Sequence, residues 1–449
     1  MQTERADRSQ WTGADYAEWV FGRKKPQQWR SNPHFMRILS IDGGGIRGVV
    51  PAVALAEMEE KTGKPISDLF DVICGTSTGG LLTLGLAYPQ DGANWTTYPQ
   101  RPRYSAQYIL DVYRTRGQQI FSRRKRHRLR TLNGLIGPTY ETRGLEALFA
   151  EMFEDTRLRD AIRQVLITTY DSENRLPYPL SSSTHQSDDS WQRGRGYELR
   201  MRDVAKATSA APTYFAPHKV LTGASSYLSA LDGGVAANNP SQYGVMEAQA
   251  RVGDCSMLIV SLGTGAKPKQ FTYDEIRHWG LAAWVQPVID LLGSATSDTT
   301  HQLLNFFING ILPRPGEDCL QTRIQSDADW DVNTQSEADL TNDRGRWTRY
   351  LRYQPQLHSA NAKMDDVTPK NVDALARDAR RHLDEHSEDF SLLCDFLSAS
   401  AERKPVSPPD WGAATDPRFD LVTAWRNDPA GHRKRTPVRN SFGGTDEVP

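Results

Sequence analysis

A serine with glycines two positions away on either side, Gly75-Thr76-Ser77-Thr78-Gly79, directly follows the apolar run Phe70-Asp71-Val72-Ile73-Cys74. That spacing suits a sharp strand-to-helix turn that presents a nucleophilic hydroxyl, because larger side chains at the second neighbours would block the turn. The chemistry would be acyl transfer, in which the hydroxyl attacks a carbonyl carbon while a base takes its proton. Taken alone, the pattern equally describes an ordinary glycine turn. Two further glycine-marked stretches flank it: Asp42-Gly43-Gly44-Gly45-Ile46-Arg47-Gly48 upstream and Asp232-Gly233-Gly234 downstream. Residues without a Cβ let backbone amides converge on an anion, so the upstream run could hold a developing oxyanion. Arg47 could steady that loop or meet a phosphate head group. The downstream aspartate, read by itself, belongs to a turn.

These residues need a scaffold that brings distant stretches together. RILSI (37–41) reads as a buried strand, and VVPAVALAEMEEKTG as a helix with Val50, Ala54 and Met58 on one face, Pro51 in its first turn and Gly63 as its stop. LFDVIC (69–74) reads as a second strand and LLTLGLA as the next helix. QVLITTY (164–170) and SMLIVSL (256–262) are continuous apolar runs, as expected of strands covered on both faces. Alternation of this kind predicts an α/β fold, a mainly parallel central sheet flanked by helices. The texture divides the chain into an N-terminal arm (1–35), a catalytic domain (36–270), a helical extension packed on the core (271–400) and a flexible tail (401–449). In the extension, Leu281, Val285, Val288 and Leu292 form one apolar stripe, interrupted or kinked by Pro287, and Val372, Leu375, Ala379 and Leu383 form another. Both are expected to face the core.

Composition narrows the classes of function. Lys and Arg total 54 against 55 Asp and Glu, a net charge of -1 over 449 residues, so no nucleic acid polymer is expected as partner. No apolar run nears the roughly 20 residues that cross a bilayer, and the polar start MQTERADRSQ lacks the apolar segment of a signal peptide, so a cytoplasmic protein is expected. Cys74, Cys255, Cys319 and Cys394 lie far apart without metal-ligand spacing, and reduced buried thiols are expected. The basic run SRRKRHRLR (122–130) could attract anionic head groups or form a solvated loop.

The three glycine-marked motifs in this order, together with SAAPTYFAP (209–217), NNPS (238–241) and SLGTG (261–265), resemble the patatin-like phospholipase family over roughly residues 36 to 266. The resemblance implies a lipid acyl hydrolase that cleaves phospholipid or glycerolipid esters through a two-residue dyad, Ser77 and Asp232. Gly43, Gly44 and Gly45 would form the oxyanion loop, and Arg47, Gly48, Gly75, Gly79, Gly233 and Gly234 would support the motifs. No cofactor and no metal are implied. An aspartate base with an ordinary pKa near 3.9 would be mismatched to serine, so the site must raise its proton affinity. A soluble enzyme on such a substrate must dock transiently at a membrane, with an apolar or basic rim around its pocket, where Tyr214 and Phe215 could line a lipid groove. No chemistry is assigned to Ser261–Gly265.

Alternatives stay open at this point. A Ser-His-Asp esterase would need a histidine such as His278, His301 or His358. A dinucleotide fold shares the spelling Gly43-x-Gly45-x-x-Gly48, but the acids Glu57, Glu59 and Glu60 fall inside the first helix instead of closing a second strand. Some bacterial members of the family are ligand-gated antiviral effectors, so a cyclic nucleotide activator is a further reading, as is a non-enzymatic lipid-binding module. Homo-oligomerisation is also open.

Overall fold

The computed structural model describes residues 35–91, 101–121, 137–182, 196–223, 225–252, 255–266, 271–309 and 348–401. Cys319, the basic run 122–130, the arm up to residue 34 and the tail from residue 402 lie outside the described residues.

The apolar runs become the centre of a nine-stranded sheet ordered β6-β7-β3-β2-β1-β8-β9, with β4 and β5 paired onto β3. Strand β1 (Phe35–Ile41) is followed by a 3-10 turn (Gly45–Gly48) and helix α1 (Val49–Thr62), which stops at left-handed Gly63. Next come β2 (Val72–Thr76), α2 (Thr78–Leu86), α3 (Ala106–Ile120) and α4 (Arg143–Phe153). The run LFDVIC divides: Leu69 closes a short helix, Ile66–Leu69, and only Val72 onward is strand. Strands β3 (Gln164–Asp171), β4 (Leu176–Pro177) and β5 (Leu180–Ser181) precede α5 (Met201–Thr208), and β6 (His218–Leu221) and β7 (Tyr227–Asp232) precede α6 (Ser241–Val252). Strand β8 (Ser256–Leu262), α7 (Leu281–Asn309), β9 (Thr348–Tyr353), α8 (Pro369–Glu385) and α9 (Ser387–Ala401) complete the path.

β3, β2, β1, β8 and β9 run parallel, whereas β6 and β7 join antiparallel at the β3 edge. Because successive side chains alternate across a strand, the sheet has two cores. Leu39, Ile41, Ile73 and Val260 pack with α1 to α3, α8 and α9. Ile38, Cys74, Ile259 and Tyr350 pack against α6 and the last turns of α7. Cys74, Cys255 and Cys394 are free and buried.

Two features of the segment after residue 271 differ from the sequence expectation. It is not only helical: TRYLRY (348–353) pairs in parallel with β8 and extends the central sheet. Its two arginines, Arg349 and Arg352, hide the apolar signature of a buried strand. The stripe on α7 is also misplaced, since Val288 and Leu292 are exposed. Pro287 lies inside α7 and does not end it. By contrast Val372, Leu375, Ala379 and Leu383 are buried. No helix among the described residues is long and apolar enough to cross a membrane.

Candidate active site

Ser77 stands between the end of β2 and the start of α2 with φ 54 and ψ -121, a left-handed region that non-glycine residues seldom occupy. The flanking glycines make this possible: a Cβ at Gly75 would collide with the Gly79 carbonyl, and one at Gly79 with the Ile41 carbonyl at the end of β1. The Ser77 amide donates to Thr208 Oγ1 at 2.8 Å, and the Thr208 hydroxyl donates to the Thr168 carbonyl at 2.8 Å. Thr76 Oγ1 donates to the Ala237 carbonyl at 2.7 Å and lies 2.6 Å from Thr168 Oγ1. The strained turn is thus bolted to β3 and to the segment after Asp232 by threonine hydroxyls.

Asp232 closes β7, whose antiparallel register sets it opposite Thr169 of β3, one strand away from the serine turn. Its carboxylate is buried, accepts the Gly234 amide at Oδ1, 2.8 Å away, and is stabilised in its charged form by the Ser77 side chain. Burial dominates its proton affinity, raising the pKa to about 6 against the opposing pull of Ser77 and Gly234. Gly233 fits because a Cβ there would strike Thr168.

The glycine loop is fixed mainly by its carbonyls. The Gly43 carbonyl accepts from Thr264 Oγ1 at 2.9 Å and from Asn238 Nδ2 at 3.4 Å, and Arg47 Nε donates to the Gly44 carbonyl at 3.4 Å. Arg47 also faces Asp290 of α7 at 3.5 Å. It therefore acts as a loop brace here. The Gly43 amide donates to the Asn238 carbonyl at 3.2 Å. Gly44 and Gly45 line the pocket beside Ser77, and their amides have no acceptor among the described residues. Thr78 opens α2, adding the positive end of a helix dipole.

Asp42, which begins the loop, is buried in a network that crosses the whole chain. Arg352 of β9 grips it with both ends of its guanidinium, Nη1 to Oδ1 at 2.8 Å and Nη2 to Oδ2 at 2.6 Å. Ser297 of α7 donates to Oδ2 at 2.6 Å, and Arg352 Nη1 also donates to Ser261 Oγ at 2.7 Å. Burial would lower the arginine's proton affinity, yet the Asp42 charge holds it above its usual value. Nothing in the sequence pattern tied residues 42 and 352 together. Asn238, Thr264 and Ser261 sit in motifs that were recognised, NNPS and SLGTG, without a role being visible.

A pocket of about 100 Å³, open to solvent, lies above Ser77 and Asp232. Its walls are predominantly apolar, with Leu81, Leu145, Tyr214, Phe215 and Leu292 among them. Such a lining suits an acyl chain. No histidine lines it among the described residues. His301 instead packs its ring on Tyr350 at 5.7 Å, so the triad alternative finds no imidazole beside Asp232. The dinucleotide alternative loses its acid: Glu59 accepts the Ile66 and Ala106 amides within the core. The His/Cys/Asp/Glu group found at metal-ligand distances among the described residues, His382, Glu385 and His386, contributes no atom to the pocket.

Residues 39–243 match the family model described as Patatin-like phospholipase. Patatin-like protein 2 of Arabidopsis thaliana is 32% identical over 340 residues, an alignment spanning 68% of this chain and 79% of that protein. Patatin-like protein 1 of Oryza sativa subsp. indica is 32% identical over 296 residues, spanning 58% and 68%. A solved structure, VipD from Legionella pneumophila, is matched at TM-score 0.28 and 11% identity over 78% of this chain and 67% of that one, a score too low to bear weight. A relative this similar over most of its length, and a family model spanning the serine turn and the downstream aspartate, lead to one conclusion: the chain belongs to the patatin-like phospholipase family, a family of lipid acyl hydrolases.

Proposed function

We propose that the protein cleaves ester bonds of membrane phospholipids through a Ser77 acyl-enzyme, with Asp232 as the base and the Gly44 and Gly45 amides as oxyanion donors. The observation that carries this reading is that Ser77, held at φ 54, and the buried Asp232 line the same pocket, with the Ser77 hydroxyl stabilising a carboxylate whose pKa burial raises to about 6. At neutral pH that carboxylate is ionised yet far more basic than a solvated aspartate. It takes the Ser77 proton as Oγ bonds to the ester carbon, and the carbonyl electron pair moves onto oxygen. Each donor directed at that oxygen lowers the barrier by roughly 2.7 to 4 kcal/mol. Collapse breaks the bond to the alcohol oxygen, which leaves with the proton from Asp232. Water then repeats the sequence in reverse: it gives a proton to Asp232, its oxygen attacks the acyl carbon, and the proton returns to Ser77 as the fatty acid departs.

The intact protein incubated with a fluorophosphonate, followed by peptide mass mapping, tests the assignment. Modification of Ser77, with fatty acid release from phospholipid vesicles by wild type and not by Ser77→Ala, is the expected result. Modification at another serine would overturn it. The cyclic-nucleotide-gated reading rests on the arm and the basic run, which lie outside the described residues, and on the helical extension, where no observation points to a nucleotide.

A further inference from the structure

Helix α7 turns an apolar face outward. Val288, Leu291, Leu292, Leu303, Phe306 and Phe307 are exposed, Phe307 by 75%. At roughly 100° per residue these six fall within about 160° of the helix circumference. Ser297, Thr300 and Asn305 occupy the opposite side and are buried. A helix on a protein surface ordinarily turns its apolar stripe inward. Here the inward side mixes polar residues, among them Ser297 in the Asp42 network, with Leu304 and Ile308 against the core, while a second, broader apolar stripe faces outward. The helix carries two charged residues, Asp290 and Asp298, and neither lies in the outward arc.

The apolar face also runs into the pocket. Leu292, 46% exposed, is at once part of the outward stripe and of the wall beside Ser77, with Ile289 and Gly293 next to it. We propose that the outward face of α7 is the surface on which the enzyme lies against a zwitterionic phospholipid bilayer, with Leu292 where that surface opens into the pocket. An uncharged face requires no anionic lipid, and its continuity with the apolar pocket fits a layer of acyl chains. This inference rests on the phospholipid reading above and names the docking surface for it.

The test compares wild type with Phe307→Ser and with the double variant Leu303→Glu, Phe307→Glu. Three measurements are made: co-sedimentation with phosphatidylcholine vesicles, fatty acid release from those vesicles, and hydrolysis of a short-chain monomeric nitrophenyl ester. The expected result is a fall in vesicle binding and vesicle hydrolysis of about 10-fold for the single variant and on the order of 100-fold for the double variant. Hydrolysis of the monomeric ester should be unchanged. Wild-type vesicle hydrolysis in the variants would overturn the proposal. A wild-type dimer on gel filtration that the variants dissociate, with vesicle hydrolysis kept, would also overturn it, because the face would then bind a second copy. Should the double variant not fold, Phe307→Ser decides, since that ring is three-quarters in solvent. Binding of Ser77→Ala to vesicles reads docking apart from catalysis: if it binds through this face while wild type releases no fatty acid, the catalytic reading fails and the docking surface stands.

Discussion

Two buried aspartates, Asp42 just after β1 and ahead of three glycines, and Asp232 at the end of β7 and ahead of two, are compensated in opposite ways. Asp42 is neutralised by a two-pronged arginine and a serine hydroxyl. Asp232 is equally buried, but among the described residues no cation pairs with it, and it keeps only a hydroxyl and a backbone amide. The difference separates a carboxylate that serves as scaffold from the one proposed above as the base. A buried charge with a matched counter-charge is fixed in its ionised form. One without a partner is held near the pH at which it can exchange a proton.

The comparison can be broken most severely at Asp232. Asp232→Asn should lower kcat/KM by about 10²- to 10⁴-fold, the usual contribution of a general base. In wild type, log kcat/KM should fall with unit slope as pH drops below about 6, following the carboxylate whose pKa burial raises. The effect on stability has the opposite sign. A folded-state pKa raised from 3.8 to about 6 means that wild type is relatively favoured below pH 4 and loses that advantage as pH rises through 6. Asp232→Asn should therefore be more heat-stable than wild type at pH 8, by up to roughly 3 kcal/mol, with the gap closing at pH 4. Equal melting temperatures at pH 8 would remove the argument that Asp232 is strained by burial.

At the other aspartate, Arg352→Met should destabilise by about 3 to 5 kcal/mol, because it leaves a buried carboxylate without its cation. The double variant Asp42→Asn, Arg352→Met should regain most of that stability in thermal denaturation. If the network positions the glycine loop, kcat stays reduced in the double variant while KM for a monomeric ester changes little. A double variant with wild-type kcat would reduce the network to a structural role. The smallest effect is expected at Thr264, whose hydroxyl holds the Gly43 carbonyl. Thr264→Val should cost about 1 kcal/mol and lower kcat a few-fold. No change in either would mean that Asn238 alone holds that carbonyl.

The legible parts of the sequence are those where one residue type has one physical reason to be present. Apolar runs such as SMLIVSL specify strands covered on both faces, and glycines at 75, 79 and 233 specify places where a Cβ would meet backbone or a packed threonine. Those signals located Ser77 and Asp232. Strand β9 was not legible because Arg349 and Arg352 are buried within it, and the charge that permits burial of Arg352 lies on a residue 310 positions away. The stripe on α7 was legible as a stripe, but periodicity carries no sign. Only the polar duty of Ser297 shows which side faces in. Gly43 illustrates a third limit, since composition predicts an available amide and cannot reveal that the Asn238 carbonyl has taken it.

The grip of Arg352 on Asp42 also bears on how the enzyme comes into being. Synthesis proceeds from the N-terminus, so Ser77, Asp232 and the glycine loop all leave the ribosome before the arginine that fixes the loop has been made. A chain that stops short of β9 would leave Asp42 without its counter-charge and the glycine loop without that brace.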